Sequence, residues 1–560
     1  MSKAFFRSSL IGHLIWLASK PQWLAYGEER KGFQVEKNLF GYSTSQLSDE
    51  DESSKKTQTP QRTNTDTEKG AAGADANSSR RATRQQLSTS QDGTIVVDWY
   101  SADDPENPQN WTVKRKAFVL LCIASYSFVV YMGAPIYTPS IDEFKEEFNV
   151  DSAYASLGLA LYVLGYGFGP LIFAPLSEIP SIGRALPYPA TFLGFVLTSI
   201  GAACTKSASG FMFLRFLQGF FGSPALATGG ASIADVFSPV VLPHAMTSWV
   251  LACYCAPAFS PVLAGFAIPV LGWRFSMWEL CIASAPVMAL LCFLPETMSS
   301  TILLGRARRL RQVTGNMHYK GASEIAMHKF SFAEVVYESL LVPTKITFLD
   351  PAMLFTNLYL TFIYGIYYSF FEVFPLVYSG IYGFNLGESG LPFLAIVVGA
   401  VIAFLIYNVY VHKVHVPLAR SGETSEPEDL LIPALYSCFL PPIGLFLFGW
   451  AANESVHWIV PTIGIVIFPW GVFIVMQCVF VYVPAVYPQY AASIFAAQDF
   501  TRCVFACGAV IIARPMFHAL GIGGGCSFLA GLMILCILGM HLLYRFGGTL
   551  RKRSKFVSKW

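Results

Sequence analysis

The stretch KAFVLLCIASYSFVVYMGAPIY, residues 116–137, decides the fold class of this 560-residue chain. After Lys116 it contains no charged side chain. An apolar run of about 20 residues is what an α-helix needs to cross a bilayer. Because such runs recur along the chain between short polar breaks, the sequence predicts an all-α protein that crosses a membrane many times.

Twelve such runs are divided into six and six by one long polar interval. The expected spans are 116–137, 153–175, 186–204, 211–233, 244–268, 275–295, 350–373, 390–411, 431–451, 458–482, 491–513 and 524–545. We therefore expect two six-helix bundles. The expected units are a tail at 1–110 that is disordered over 42–95, a first bundle at 111–295, a linker at 296–349, a second bundle at 350–545 and a basic C-terminus at 546–560.

The composition supports a membrane protein and excludes several other classes. Hydrophobic residues make up 54% of the chain and charged residues 13%, with a mean hydropathy of +0.48. Soluble domains carry about 25% charged residues, so a soluble enzyme and a disordered regulator are both excluded. A net charge of +2 provides no basic field for binding nucleic acid.

The twelve cysteines all lie in apolar segments, without a histidine or carboxylate cluster at ligand spacing. We expect them to pack as small hydrophobic side chains, with no metal site and no cofactor. The apolar stretch 9–18 is interrupted by His13. We interpret it as an uncleaved segment on the membrane surface rather than a signal peptide.

Lysine and arginine are unevenly distributed between the breaks. With a cytoplasmic N-terminus, the inner breaks hold Arg184, the basic run at 306–311 and the C-terminal basic group. The outer breaks then hold little beyond Lys145, Lys206 and Arg274. The positive-inside rule predicts that both termini are cytoplasmic, and we expect a multi-pass protein of the plasma membrane.

Several membrane functions are excluded by missing motifs. The sequence contains no G-x4-G-K-[ST] nucleotide loop, no T-V-G-Y-G selectivity filter and no regular arginine array. No histidine and carboxylate grouping at membrane depth indicates a catalytic metal centre. The remaining class is a secondary transporter driven by an ion gradient, with no catalytic residues.

A series of short motifs resembles the major facilitator superfamily in its twelve-span fungal drug:proton antiporter form, of the benomyl/methotrexate-resistance type. Their order and spacing carry the resemblance over nearly the whole chain. The motifs are Gly169-Pro170-Leu171, Pro175-Leu176-Ser177-Glu178, Gly183-Arg184, Leu214-Arg215-Phe216-Leu217-Gln218-Gly219, Gly229-Gly230-Ala231, Ala234-Asp235, Gly272-Trp273-Arg274, Leu294-Pro295-Glu296-Thr297, the basic run at 306–311, Phe370-Phe371-Glu372-Val373-Phe374-Pro375 and the segment from Asp103 to Trp111.

The resemblance implies that Arg215, in the fourth span, faces a central cavity and takes part in proton transfer. The alternative is a buried arginine that donates to backbone carbonyls and fixes packing. Asp235 is a further candidate for proton coupling, although a contact at the end of a helix is favoured for it. Glu372, deep in the seventh span among phenylalanines, is the main candidate because coupling requires a carboxyl that gains and loses a proton. It could also pair with a cationic substrate, or stay neutral and hydrogen-bonded to a neighbouring helix.

Other polar and aromatic residues are candidates for the substrate cavity. Tyr364, Tyr368 and Phe371 form a stripe along one face of the seventh span, suited to flat apolar or cationic compounds, or simply to the core. Asn357 belongs to the same span. Further candidates are Gln477, in the tenth span, and Asp499 with Arg502, in the eleventh, although the last two could equally form a structural ion pair.

The fifth span carries the antiporter pattern that the resemblance implies, as Ala256, Pro257, Pro261 and Gly265. Small residues four apart let helices approach closely, and prolines bend a helix. We expect a tight seam between the two halves, with Ala256 departing from the usual glycine.

The loop after the second span carries the gating motif that the resemblance implies. Gly169, Glu178, Gly183 and Arg184 belong to it, and Glu178 with Arg184 is expected to latch neighbouring helix ends. Glutamate stands at 178 where aspartate is commoner.

The sequence thus predicts a monomeric antiporter that exports small amphipathic or cationic organic compounds as protons enter. An exporter dedicated to one metabolite or toxin, a polyamine exporter and, from another class, a non-transporting nutrient sensor remain open. A nutrient importer is disfavoured by the prolines of the fifth span.

Overall fold

The computed structural model describes residues 3–19, 21–29, 94–327, 342–421, 426–487 and 491–553. Ten helices among them are long and apolar enough to cross a membrane. The sequence predicts twelve, and the difference arises at two places, the fourth span and the junction of the last two spans.

The helices of the first half follow the expected spans closely. They are Val113–Gly133, Ser152–Glu178, Pro187–Cys204, a broken fourth span, Leu242–Leu271 and Phe275–Cys292. Those of the second half are Pro351–Phe374, continued by a wider turn at Pro375–Ser379; Leu386–Gly390 with Leu394–Tyr410; Ile432–Ser437 with Leu440–Ala451; Ile459–Val486; and Ala491–Arg553.

The expected span at 211–233 is present but is not one continuous helix, because it consists of three pieces. They are Ala208–Gly222, Pro224–Ala227 and Gly229–Val236. Proline has no N–H to donate to the preceding turn and its ring collides with that turn, so Pro224 begins a new helix. The break separates Arg215 from Asp235, which lie on different pieces of one span.

The eleventh and twelfth expected spans run together as Ala491–Arg553, with non-helical backbone at Gly521. Gly521 has φ 72° and ψ 167°, a conformation that a side chain would strain. The chain therefore bends at this glycine. Segments of spanning length lie on both sides, and the count of twelve stays a prediction.

Short helices and one small sheet lie outside the expected spans. The helices are Lys3–Arg7, Leu10–Ser19, Ile141–Phe148, Ser299–Thr314, Ala322–Met327, Val342–Leu349 and Val416–Ser421. Strand Ile95–Val97 pairs in parallel with strand Tyr319–Gly321. This pairing joins the N-terminal tail to the linker between the halves.

The tail and the linker are more structured than the sequence predicts. Most of the segment 42–95, which the sequence predicts to be disordered, lies outside the described residues, which resume at residue 94. Ile95 belongs to a strand, so the predicted end of the disordered segment is wrong. The interval 296–349, expected as a linker, contains the 16-residue helix Ser299–Thr314. Helix Leu10–Ser19 keeps Leu14 and Leu17 exposed, and its contact with a membrane stays a prediction.

Candidate functional site

Two cavities lie at opposite ends of the interface between the first six and the last six spans. One, of about 650 Å³, is lined by residues of the fourth, fifth, tenth and eleventh spans, among them Asp235, Gln477, Asp499 and Arg502, and by Arg184 of the loop after the second span. We call it the basic-end cavity, because the arginine-rich helix Ser299–Thr314 lies at that end. The other, of about 670 Å³, is the far-end cavity, and Asp142, Pro261, Ser379 and Arg514 are among its lining residues.

Aromatic side chains of the seventh span separate the cavities. Arg502 lies 5.1 Å from the ring of Tyr364 on the basic side, and Arg514 pairs with Glu372 on the far side. Tyr368 and Phe371 lie between these levels, buried, with ring centroids 5.9 Å apart. We call this layer the aromatic plug.

Tyr254, in the fifth span of the first half, packs against the aromatic plug. Its ring lies 5.9 Å from that of Tyr367 and 5.5 Å from that of Phe473. Its hydroxyl also lies 2.6 Å from Met476 Sδ. The predicted cavity residues Asn357, Tyr364, Tyr368 and Phe371 line neither of these two cavities and are buried between helices. Their contact with substrate stays a prediction.

Glu372 is fully buried, and its carboxylate pairs with an arginine that the sequence motifs do not point to. Glu372 Oε2 lies 2.5 Å from Nε of Arg514, on the eleventh span. Arg514 is partly exposed and lines the far-end cavity. Glu372 thus has an internal cation as partner, and its pairing with a cationic substrate stays a prediction.

Asp499 and Arg502 form the ion pair that their spacing predicts. Asp499 Oδ1 lies 2.5 Å from Arg502 Nη2, and both side chains are buried while lining the basic-end cavity. Gln477 lines the same cavity and is 1% exposed. The structure thus brings together the three polar cavity candidates from the tenth and eleventh spans.

Arg215 has the surroundings of the packing alternative. Its Nε donates to Gly158 O at 2.9 Å, Nη1 to Gly133 O at 2.9 Å and Nη2 to Ala134 O at 2.8 Å. Nη1 also donates to Gln218 Oε1 at 3.0 Å. The side chain ties three helices of the first half together and lines neither cavity, and its role in proton transfer stays a prediction.

In the gating loop Arg184 pairs with Asp235 rather than with Glu178. Arg184 Nε lies 3.0 Å from Asp235 Oδ2, at the end of the fourth span. This agrees with the helix-end contact expected for Asp235. Arg184 thus contacts a neighbouring helix end, as expected of it, whereas among the described residues no ion pair is found for Glu178. The latch role of the two residues stays a prediction.

Glu296 binds the backbone of this loop, a role that the sequence did not indicate. Its carboxylate accepts hydrogen bonds from the backbone N–H groups of Arg184, Ala185, Thr297 and Met298, at 2.9–3.1 Å. Gly183 has φ 71°, and a Cβ on it would collide with the Glu296 carboxylate. Glycine is needed here for both reasons.

The predicted small residues have close packing partners. A Cβ on Gly169 would overlap the Ser223 hydroxyl at the break in the fourth span. One on Gly265 would lie 2.7 Å from Leu386 O, in the opposite half. Gly390 approaches Pro261 O from that half in the same way.

The prolines of the fifth span have buried surroundings. Ala256, Pro257 and Pro261 are buried along the helix that carries Gly265. The fifth span thus meets the eighth backbone to backbone at Pro261 and Gly265, at the level of the far-end cavity.

A cluster of buried charges fastens the N-terminal tail to helix Ser299–Thr314. Arg306 Nη1 lies 2.7 Å from Asp104 Oδ2, and its Nη2 3.1 Å from Glu106 Oε2. Arg309 lies 3.4 Å from Glu28 Oε2 and 3.0 Å from Glu106 Oε2. We call these five residues the tail clasp.

Two acids of the tail clasp, Glu28 and Asp104, have lowered pKa values despite their burial. Burial raises the pKa of Glu28, but Arg309, the donated Tyr100 hydroxyl and Arg306 together bring that pKa below its ordinary value. Burial likewise opposes ionisation of Asp104, and its contacts with Arg306 hold its pKa below the ordinary value. The clasp is therefore an ionised network under physiological conditions.

The site residues that the sequence did not predict were missed for the same physical reason. Arg514, Glu296 and the tail acids each have an ion-pair or hydrogen-bond partner more than 100 residues away in the chain. An arginine at the end of the apolar eleventh span was the available signal for Arg514. Within the described residues no group of three or more His, Cys, Asp or Glu side chains is placed to hold a metal ion.

Comparisons with known proteins agree with this architecture. The Major Facilitator Superfamily model matches residues 123–510. The MFS-type transporter pyvG of Aspergillus violaceofuscus is 46% identical over 467 residues, which cover 83% of this chain and 86% of that protein. Fluconazole resistance protein 1 of Saccharomyces cerevisiae is 38% identical over 469 residues, covering 83% and 85%.

A solved structure shows the same fold. The proton:xylose symporter XylE of E. coli aligns with a TM-score of 0.55 at 13% identity, covering 78% of this chain and 96% of that structure. At this identity the likeness bears on the fold alone.

Proposed function

The chain belongs to the Major Facilitator Superfamily, and from this premise we propose that it exports small amphipathic organic compounds, including antifungal drugs, in exchange for protons. The transported compound is not chemically changed. The relative named for fluconazole resistance supports azoles as substrates. The protein acts on its small-molecule substrates and protons as a monomer within the lipid bilayer.

The observation that carries the proposal is the arrangement of two cavities on either side of the aromatic plug. The interface between the halves holds both cavities, so rocking of the halves would open one while it closes the other. Each cavity has a buried acid–arginine pair beside it, Asp499–Arg502 at the basic end and Glu372–Arg514 at the far end. Substrate and proton therefore have separate polar sites on the two sides of the plug.

The basic end faces the cytoplasm in this proposal, and the membrane is the plasma membrane. Arg184, the helix Ser299–Thr314 and the C-terminal basic residues all belong to that end, as the positive-inside rule requires of a cytoplasmic face. Both termini are then cytoplasmic. The basic-end cavity receives compounds from the cytosol or inner leaflet, and the far-end cavity releases them outside.

Glu372 is the proposed proton carrier. An ionised Glu372 holds Arg514, and a proton entering through the far-end cavity would neutralise the carboxylate and release the arginine. The pairing of the seventh and eleventh spans would thereby depend on protonation, which is what coupling requires.

The test uses a yeast strain deleted for its drug pumps. Expression of the chain is expected to raise resistance to fluconazole and to lower accumulation of a fluorescent dye, and a protonophore is expected to abolish both effects. No resistance to any compound of an azole and dye panel would overturn the export proposal. Resistance that survives collapse of the proton gradient would overturn proton coupling.

A further inference from the structure

The basic-end cavity combines an apolar wall with one compact polar patch. Large side chains of the fifth, tenth and eleventh spans form the wall: Met246, Trp249, Phe480 and Phe495. Gln477, Asp499 and Arg502 form the patch. A flat ligand could therefore lie against aromatic surface while one end reaches polar groups.

The patch holds polar atoms that are not hydrogen-bonded. Asp499 uses Oδ1 and Arg502 uses Nη2 for their ion pair. Asp499 Oδ2, Arg502 Nε and Gln477 Nε2 are buried and have no hydrogen-bond partner among the described residues. Buried polar atoms in folded proteins are rarely left in this state, so one acceptor and two donors are available to a ligand in the cavity.

Two contacts hold the Arg502 side chain of the patch in place. The Arg502 guanidinium lies 5.1 Å from the ring of Tyr364, in the aromatic plug, while Asp499 holds its Nη2. These two contacts restrain the plane of the guanidinium. Its Nε–H is thus a positioned donor rather than a mobile charge.

The charges on the cavity wall are balanced. Asp499 is paired with Arg502, and Asp235 is paired with Arg184. The other titratable side chain among the lining residues is His415. A permanent cation entering the cavity would lose its hydration without meeting an unpaired carboxylate, which is unfavourable in a low-dielectric site.

We propose that Gln477, Asp499 and Arg502 form a charge-balanced subsite that selects electrically neutral amphipathic compounds carrying a hydrogen-bond acceptor beside a donor. The acceptor of the compound meets the N–H groups of Gln477 and Arg502, and its donor meets Asp499 Oδ2. The subsite excludes permanent cations. This inference rests on the proposed export function and restricts the exported compounds to electrically neutral ones.

The test compares efflux of fluconazole, a neutral compound with a hydroxyl donor and triazole acceptors, with efflux of the permanent cation tetraphenylphosphonium. The strain is pump-deleted yeast, and surface protein is quantified for each variant. Gln477→Glu keeps the side-chain shape and adds an acid, while Arg502→Gln leaves Asp499 without its cation. The double variant Asp499→Asn with Arg502→Gln removes both charges and is the matched control. Glu146→Gln, at an exposed position, is the background control.

The wild-type chain is expected to export fluconazole and to give tetraphenylphosphonium efflux at background level. Gln477→Glu and Arg502→Gln are each expected to lower fluconazole efflux and raise tetraphenylphosphonium efflux, shifting their ratio by about tenfold or more. The double variant is expected to lose fluconazole efflux without gaining the cation. A purely structural role would lower fluconazole efflux and leave tetraphenylphosphonium efflux at background level in every variant.

Two other results distinguish failure of the proposed subsite from failure of the proposed export function. If the wild-type chain exports both compounds and the acidic variants leave their ratio unchanged, the subsite is wrong and export stands. If the wild-type chain exports neither compound at normal surface levels, the export proposal is overturned and the subsite with it.

Discussion

Glu372 of the seventh span and Arg514 of the eleventh form an ion pair beside the far-end cavity, with Oε2 and Nε 2.5 Å apart. Glu372 is fully buried, whereas the Arg514 side chain is 24% exposed and lines the cavity. The arginine therefore stands between the carboxylate and the space through which protons would arrive. Neutralising Glu372 would therefore weaken the ion pair that joins the seventh and eleventh spans.

Replacement of Glu372 by glutamine is expected to abolish proton-driven efflux. Glutamine has nearly the same shape but cannot release a proton, so drug efflux from pump-deleted yeast should fall by at least about tenfold at equal surface expression. Glu372→Asp keeps a titratable group and should retain part of the activity. Full efflux by Glu372→Gln, compared with the exposed control Glu146→Gln, would remove Glu372 from the coupling mechanism.

A side chain at Gly265 is expected to block transport. A Cβ there would lie 2.7 Å from Leu386 O across the interface of the halves, and Gly265→Val adds two further methyl groups. Efflux should fall several-fold while surface expression stays near normal, because the seam moves during each cycle. Leu263→Val, at an exposed position of the same helix, is the control. Equal efflux by the two variants would contradict a tight seam.

The sequence predicts the fold because each span is a local property. A run such as 116–137 is apolar enough to specify a helix in a bilayer without reference to any partner. The same local information misses Pro224, where one ring breaks the fourth span into pieces. Hydropathy averages over such single residues.

The site was only partly predictable, because its key contacts join distant parts of the chain. Asp499 and Arg502 are three residues apart, and their pairing was foreseeable. Glu372 and Arg514 are separated by 142 residues, and nothing in the sequence around Glu372 indicates which cation it meets. Tyr364 and Tyr368 carry the residue types expected of a drug site, but packing of the halves places them in the plug.

Removal of Arg306 is expected to release the N-terminal tail. Arg306 is 1% exposed and contacts Glu28, Asp104 and Glu106, so Arg306→Ala leaves buried acids without their cation. A loss of about 3–5 kcal/mol of local stability is expected. Thermal unfolding of the detergent-purified protein and hydrogen exchange of strand Ile95–Val97 measure it. Arg308→Ala, at an exposed neighbour, should change neither; an unaltered Arg306→Ala protein would show that the clasp does not hold the tail.

The tail clasp is expected to open only in strong acid. The pKa values of Glu28 and Asp104 are lowered in the folded protein by their arginine partners, in spite of burial. Their stabilisation is therefore complete above the unfolded-state pKa of about 4 and is lost as the pH falls through the folded-state values. Hydrogen exchange of strand Ile95–Val97, corrected for intrinsic rates, should show constant protection from pH 7 to about pH 5. A loss of protection within that range would contradict an ionised clasp.

The central claim is that drug movement and proton movement are obligatorily opposed, and purified protein in liposomes tests it most directly. Radiolabelled fluconazole is added outside vesicles whose lumen is more acidic than the bath. The expected result is accumulation of the drug above its equilibrium level, collapse of that accumulation by a protonophore, and no accumulation with Glu372→Gln. Equal filling with and without the pH gradient, or accumulation driven only by an acidic bath, would contradict proton antiport.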